Sequence, residues 1–161
     1  MDTTQAHTAF DQHGHHHRTS IDAAISAAEE ICARHGAQLT KTRRRVLELI
    51  WVNRNPVRAY QLLDQLSRER GQVAPPTIYR ALDFLLEHRL IHRIESLNAF
   101  VGCSHPHETH TGCFLICRAC GAAAEIDDAR LTQALDDVAN SLAFRVERRT
   151  VEMRGLCPAC T

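Results

Sequence analysis

Two pairs of cysteines carry the most specific chemistry in this chain. Cys117-Arg118-Ala119-Cys120-Gly121 and Cys157-Pro158-Ala159-Cys160 are CxxC knuckles. Together they supply four thiolates, the tetrahedral set that a structural zinc takes at about 2.3 Å per bond. A redox dithiol is the other chemistry a CxxC pair can do. A closed four-Cys site has no open coordination position, so its work is folding rather than catalysis. The 36 residues between Cys120 and Cys157 exceed the usual zinc ribbon. They leave room for a helix capped at Asp127 or Asp128, with Leu131, Leu135, Val138 and Leu142 along one face, and for a strand from Phe144. The metal would then staple sequence-distant ends of one small domain.

A second constellation remains once those four are assigned: His92, Cys103, His105, His107, Glu108, His110, Cys113 and Glu125. Imidazole, thiolate and carboxylate are all metal ligands, although a His-rich loop can also be a plain solvated turn. Catalytic zinc patterns fail here. His107-Glu108-Thr109-His110 is one residue short of HExxH, so its two histidines would not share a helix face. Cys157-Pro158-Ala159-Cys160 carries its proline inside the pair, unlike the deaminase pattern. With no nucleophile and base motif either, an enzyme is the least favoured class.

The elements that must position these groups fall into two blocks. Met1 to Thr19 includes His7, His13, His15, His16 and His17 and has no apolar periodicity, so residues 1–19 read as a disordered His-rich arm. A first helix is expected from Ser20, with Ile21, Ala24, Ile25, Ala28 and Ile31 on one face and Gly36 at its end. Thr40 caps a second, in which Val46, Leu47, Ile50 and Trp51 face inward and Pro56 enforces the stop. A third runs over about residues 59–70 and ends at Gly71. Pro75 and Pro76 open a fourth, striped by Ile78, Leu82, Leu85 and Leu86. Residues 90–95 and 99–103 then switch to the two-residue period of a hairpin turning at Ser96-Leu97-Asn98. Short helices followed by a hairpin are the order of a winged helix-turn-helix.

The charge agrees with that division. Residues 20–93 hold twelve Lys and Arg against eight acids, while the rest of the chain is acidic by the same margin of four. On the fourth helix, Thr77, Tyr79, Arg80 and Asp83 fall opposite the apolar stripe, near the end that would enter a major groove. Arg80 could fork onto guanine O6 and N7, and Tyr79 could meet a thymine methyl or a phosphate. Lys41, Arg43, Arg44 and Arg45 would be phosphate contacts, which position a protein without reading sequence. A solvated basic face with an exposed tyrosine is the alternative.

Composition bounds the rest. The 161 residues, 44% hydrophobic and 24% charged with formal net charge zero, suit one ordinary domain or two small ones and exclude a uniformly basic coat protein. No apolar run reaches about 18 residues and no basic-then-apolar leader opens the chain, so no membrane span or signal peptide is expected. Seven Cys and eleven His without a leader point to a cytoplasmic, reducing setting and to metal rather than disulfides.

Over residues 28–160 the chain resembles the ferric uptake regulator family of metal-dependent repressors, most closely its zinc uptake regulator branch. The resemblance is carried by Leu39-Thr40-Lys41-Thr42-Arg43, Ala59-Tyr60-Gln61-Leu62-Leu63, Pro76-Thr77-Ile78-Tyr79-Arg80-Ala81-Leu82-Asp83-Phe84-Leu85, Thr109-His110-Thr111 and the two knuckles. It implies an α+β fold, with a winged-helix DNA-binding domain at residues 20–103 and a small zinc-stapled dimerisation domain at residues 104–161. It implies a homodimer on a palindromic double-stranded DNA operator, and two zinc ions per chain. The structural ion would sit on Cys117, Cys120, Cys157 and Cys160, and a regulatory ion at the hinge on His92, Cys103, His110 and Glu125. Tyr60 joins Lys41, Arg43, Arg44, Thr77, Tyr79 and Arg80 as a DNA-contacting position. A thiolate beside two imidazoles and a carboxylate is softer than an all-N/O site, which favours zinc over ferrous iron or manganese. Zinc would then act as corepressor of zinc-uptake genes. An iron or peroxide sensor of the same family, or a zinc-storing protein with no DNA role, are the competing classes. His105 and His107 extend the loop beyond the family pattern, and Cys32 and Cys113 match no ligand role and read as buried small apolar residues.

Overall fold

The computed structural model describes residues 17–53, 55–107, 112–147 and 149–161. Four helices come first: α1 (His17–Arg34), α2 (Lys41–Val52), α3 (Ala59–Arg70) and α4 (Pro75–Glu87). A hairpin of β1 (Ile91–Ile94) and β2 (Ala99–Gly102) follows, then β3 (Cys113–Cys117), β4 (Ala123–Ile126), α5 (Ala129–Ser141) and β5 (Val151–Gly155). Mixed helix and small sheets, in this order, are the α+β class expected.

The helix ends sit where short-range chemistry puts them. Gly36 adopts φ +63 after α1, and Gly36 N–H to Ala33 C=O with Ala37 N–H to Cys32 C=O closes a Schellman turn that satisfies the last carbonyls. Thr40 caps α2, its hydroxyl accepting from Arg43 N–H at 3.4 Å. Gln61 caps α3 by accepting from Arg58 N–H at 2.9 Å. Pro75 and Pro76 occupy the first turn of α4. One start differs: α1 opens at His17 rather than Ser20, so residues 17–19 of the expected arm are helical. Neither Gly nor Pro stands between His15 and Ser20 to stop the helix extending towards the N-terminus. Residues 1–16, with His7, His13, His15 and His16, lie outside the described residues.

The larger core is built from the inward stripes of all four helices, including Ala28 and Ile31, Val46, Leu47 and Ile50, Leu62 and Leu66, and Ile78, Leu82 and Leu85. Each fully buried leucine among them contributes roughly 1.5–3 kcal/mol. The hairpin has two packed faces, since its side chains alternate. Ile91 and Phe100 join the helical core, and Val57 ties β2 to the α2–α3 connection by exchanging backbone hydrogen bonds of 2.9 and 2.8 Å with Phe100. On the other face Ile94, Val101 and Leu97 pack against Phe114, Ile116 and Ala123 of the second sheet.

That sheet has the order β4-β3-β5, antiparallel between β3 and β4 and parallel between β3 and β5. Asp128 proves to be the cap of α5, accepting from Arg130 N–H at 2.9 Å. The helix buries no residue in this chain, and Val138 and Leu142 are 60% and 73% exposed. The strand expected from Phe144 is not formed there. Ala143 at φ +50 swings the chain out of α5, residues 144–146 are irregular, and the strand is Val151–Gly155. Phe144 alternates apolar and polar with its neighbours as a strand would, but it stays 65% exposed, and among the described residues no strand pairs with it.

Gly102, on the helical face of β2, is held to its size. A Cβ there would stand 2.3–2.8 Å from the indole of Trp51. Gly102→Ala is therefore expected to lower folding stability by about 1–3 kcal/mol through overpacking, read as a drop in urea midpoint at constant m-value.

Candidate metal centre and nucleic-acid interface

The first knuckle closes because Gly121, at φ +75, lets the chain double back: Gly121 N–H donates to Cys117 C=O at 3.0 Å and Cys117 N–H to Ala122 C=O at 2.8 Å. The second follows β5, where Pro158 opens a short turn with Cys160 N–H on Cys157 C=O at 2.9 Å. Parallel pairing of β3 with β5 delivers one pair to the other. Arg118 N–H donates to Gly155 C=O at 2.9 Å, and Cys157 N–H to Cys117 Sγ at 3.4 Å.

The four sulfurs lie within 4.8 Å of one another, and Cys120 Sγ is 3.8 Å from Cys157 Sγ. The edge of a tetrahedron with 2.3 Å bonds is also about 3.8 Å, so the donor set fits a four-thiolate metal. All seven cysteines are free thiols. The backbone N–H groups of Cys120 and Cys157 pull the Cys117 thiol down to about 6, whereas the neighbouring sulfurs of Cys157 and Cys120 push Cys160 up to about 12. A metal held here would displace the protons that the raised Cys120 and Cys160 thiols retain.

The second group is His92, Cys103 and Glu125, again with ligand atoms within 4.8 Å of one another. His92 comes from β1, Cys103 from the end of the hairpin and Glu125 from β4, so donors converge from both sides of the hairpin's sheet-facing surface. His92 Nε2 and Glu125 Oε1 are 2.8 Å apart, with side chains 18% and 8% exposed. Glu125 Oε2 accepts from Ser104 N–H at 3.2 Å, and Phe114 meets the His92 ring edge-on at 5.4 Å. Cys103 is 2% exposed, and burial, reinforced by the Glu125 charge, pushes its thiol up to about 12. A metal entering here would displace that proton. His110 lies outside the described residues.

His107 of the same loop is engaged elsewhere. His107 Nδ1 is 2.7 Å from the Arg34 guanidinium, with Glu30 at 4.0 Å from its other ring nitrogen, and His105 is exposed. Cys32 and Cys113 are each 2% exposed in apolar surroundings, as expected of small buried residues.

The candidate DNA-facing residues divide in two. Tyr79 and Arg80 stand out from α4, Tyr60 from α3 and Lys41 from the start of α2, while Thr77 is half-buried in the first turn of α4. Among the described residues neither Lys41 nor Arg80 makes an ion pair. Arg43 is already engaged: it donates to Gln38 C=O at 2.7 Å and its guanidinium lies 3.6 Å over the Phe84 ring. Arg44 pairs with Glu29, and Arg45 with Glu48 and Glu69 at 2.8 and 2.6 Å. Several basic residues that the sequence offered to phosphate therefore also hold α1, α2 and α3 together.

Two contacts have no sequence signal. Asn55 Nδ2 donates to Cys120 C=O at 3.0 Å, joining the α2–α3 connection to the first knuckle. Glu152 on β5 accepts from the backbone N–H groups of Glu95 and Ser96 at 2.6 and 3.1 Å. Both pairs lie more than fifty residues apart in sequence, beyond any local pattern.

The model of the ferric uptake regulator family matches residues 34–154. The chain is 38% identical over 144 residues to the zinc uptake regulation protein of Escherichia coli (strain K12), covering 89% of this chain and 84% of that protein. It superposes on a zinc uptake regulator complexed with zinc and DNA with a TM-score of 0.83 at 37% identity, over 88% of this chain and 95% of that one. Against holo XcZur the score is 0.76 at 43% identity, over 84% and 94% of the two chains. Against apo XcZur it falls to 0.54 at 41% identity, over 88% and 98%. At nearly equal identity, this chain superposes more closely on holo than on apo XcZur.

Proposed function

The chain belongs to the ferric uptake regulator family, and we propose that it is a zinc-responsive transcriptional repressor of zinc-uptake genes, with zinc as corepressor. The observation that carries this is the convergence of His92, Cys103 and Glu125 across the junction between the hairpin and the β4-β3-β5 sheet. We divide the chain into a winged-helix DNA-binding domain at residues 20–103, helical already from His17, and a dimerisation domain at residues 104–161. Ligands drawn from both can bias their orientation, because an ion shifts an equilibrium only by its differential affinity for two states. Zinc would supply a divalent charge that accepts a thiolate, imidazoles and a carboxylate together.

In this reading His92, Cys103 and Glu125, with His110 as the fourth, would hold the ion. A second ion on Cys117, Cys120, Cys157 and Cys160 would be structural. The protein would work as a homodimer in the cytoplasm, the exposed apolar residues Val138, Leu142 and Phe144 offering a surface to the second copy. Two copies of α4 would address a palindromic operator, Arg80 and Tyr79 reading bases with Thr77 and Tyr60 alongside. Lys41 would lead the phosphate contacts, with Arg43 and Arg44 held nearby by Phe84 and Glu29.

The reading is tested with a duplex selected from a random-sequence pool by the zinc-loaded wild-type protein. Wild type should bind it only as buffered free zinc rises. Arg80→Ala should weaken that duplex by about 1–3 kcal/mol while leaving random DNA and metal content unchanged. Lys41→Ala should weaken both DNAs alike and reduce the salt slope by about one. Equal losses on both DNAs for Arg80→Ala would remove it from base readout, and zinc-independent binding by wild type would defeat the corepressor reading.

A further inference from the structure

Three side chains on one row of the second sheet meet the hairpin along its length. Phe114 of β3 is paired in register with Glu125 of β4 on one side and with Glu152 of β5 on the other. Directly paired residues project from the same face of a sheet, so all three face the hairpin. Glu125 takes the hairpin's base, holding His92 at 2.8 Å and Ser104 N–H at 3.2 Å. Phe114 packs beneath its middle with Ile94, Leu97 and Val101. Glu152 takes the tip.

At that tip Glu95–Leu97 form a single helical turn, and Asn98 at φ +48 returns the chain to β2. The first N–H groups of such a turn have no partner within it. Glu152 meets both: Oε1 accepts from Glu95 N–H at 2.6 Å and Oε2 from Ser96 N–H at 3.1 Å. A carboxylate at the positive end of a turn makes charge-assisted hydrogen bonds, which outweigh neutral ones.

We infer that Glu152 is a positioning residue for metal sensing: a latch of the wing tip on the sheet that favours the arrangement in which His92 and Cys103 lie against Glu125. The latch and the ion then favour one closed arrangement. Part of the ordering cost of the hinge site is met by the protein alone, and the zinc concentration needed for closure is lower than three or four ligands by themselves would set. The inference rests on the reading of the chain as a zinc-responsive repressor, and it concerns what sets that response.

The test uses full-length Glu152→Ala and Glu152→Gln, the same selected duplex, and hydrogen exchange at the Glu95 and Ser96 amides. In Glu152→Ala both amides should exchange at least roughly tenfold faster, and half-maximal operator binding should need roughly tenfold more free zinc. At saturating zinc the affinity should return to within about twofold of wild type, and the knuckle ion should be retained. Glu152→Gln keeps one carbonyl acceptor and should fall between. Unchanged exchange at both amides overturns the latch whatever DNA does, so its failure is separable from wild type failing to respond to zinc. An unshifted zinc midpoint also overturns it, as does a binding loss that saturating zinc does not restore, which would make Glu152 a DNA contact or a fold element instead.

Discussion

Cys103→Ser should give a folded dimer that keeps one tightly held zinc per chain and no longer binds its operator in response to zinc at wild-type concentrations. The substitution removes the one thiolate of the hinge group and leaves Cys117, Cys120, Cys157 and Cys160 untouched. A serine hydroxyl is nearly the same size, so the 2%-exposed pocket around Cys103 is not opened. What is lost is differential affinity: with one ligand fewer, the ion prefers the closed hinge over the open one by less, and the DNA-competent population falls accordingly. The measurement is operator binding across a series of buffered free-zinc concentrations, with metal counted in the same samples. His92→Ala should behave alike, because His92 is the donor on β1 and ties the wing to the ion. If Cys103→Ser keeps two zincs and a normal response, the hinge assignment is wrong and the loop with His105, His107 and His110 becomes the place to look.

The larger effect on folding belongs to the knuckles. Cys117→Ser is expected to lose one zinc per chain and, with it, the folded dimer. Cys117 ends β3, its sulfur accepts from Cys157 N–H, and backbone N–H groups pull its thiol down to about 6. Without it the ends of β3 and β5 lose their shared clamp, and binding free energy that is also folding free energy is gone. The sheet has little to offset this, since its own buried cluster is small and α5 contributes no buried residue. Circular dichroism, sedimentation and metal analysis on one sample decide it. A dimeric, fully structured Cys117→Ser protein would refute a structural role.

The parts of this molecule that could be read from sequence are those governed by neighbours along the chain. Thr40, Gly36, Gly71 and the Pro75-Pro76 pair mark helix ends because caps and left-handed turns act over three or four residues. The CxxC pairs are legible because a metal needs its ligands close and correctly spaced. The hinge group was reached through family resemblance, since His92, Cys103 and Glu125 carry no spacing rule of their own. Where the reading departed, the deciding partner lay far away or off the chain. Phe144 has the alternation of a strand start, yet among the described residues no strand pairs with it. Arg43 also packs on Phe84 and Arg44 also pairs with Glu29, partners that no local pattern announces. Glu152 and Asn55 gave no signal, because what they bind is backbone more than fifty residues distant.

The register of β3 against its two neighbours has a consequence for quality control during folding. Side chains alternate faces along a strand, so a slip of β3 by one residue would turn Phe114 to the opposite face and break its alignment with Glu125 and Glu152. The same slip would carry Cys117, at the end of that strand, out of reach of the other three sulfurs. On the roles proposed above, a chain so mispaired would lose its knuckle clamp together with the alignment of Phe114, Glu125 and Glu152 beneath the hairpin. On the reading proposed above, misassembled protein would be silent rather than constitutively active, and an error in strand pairing would not counterfeit the zinc-replete signal.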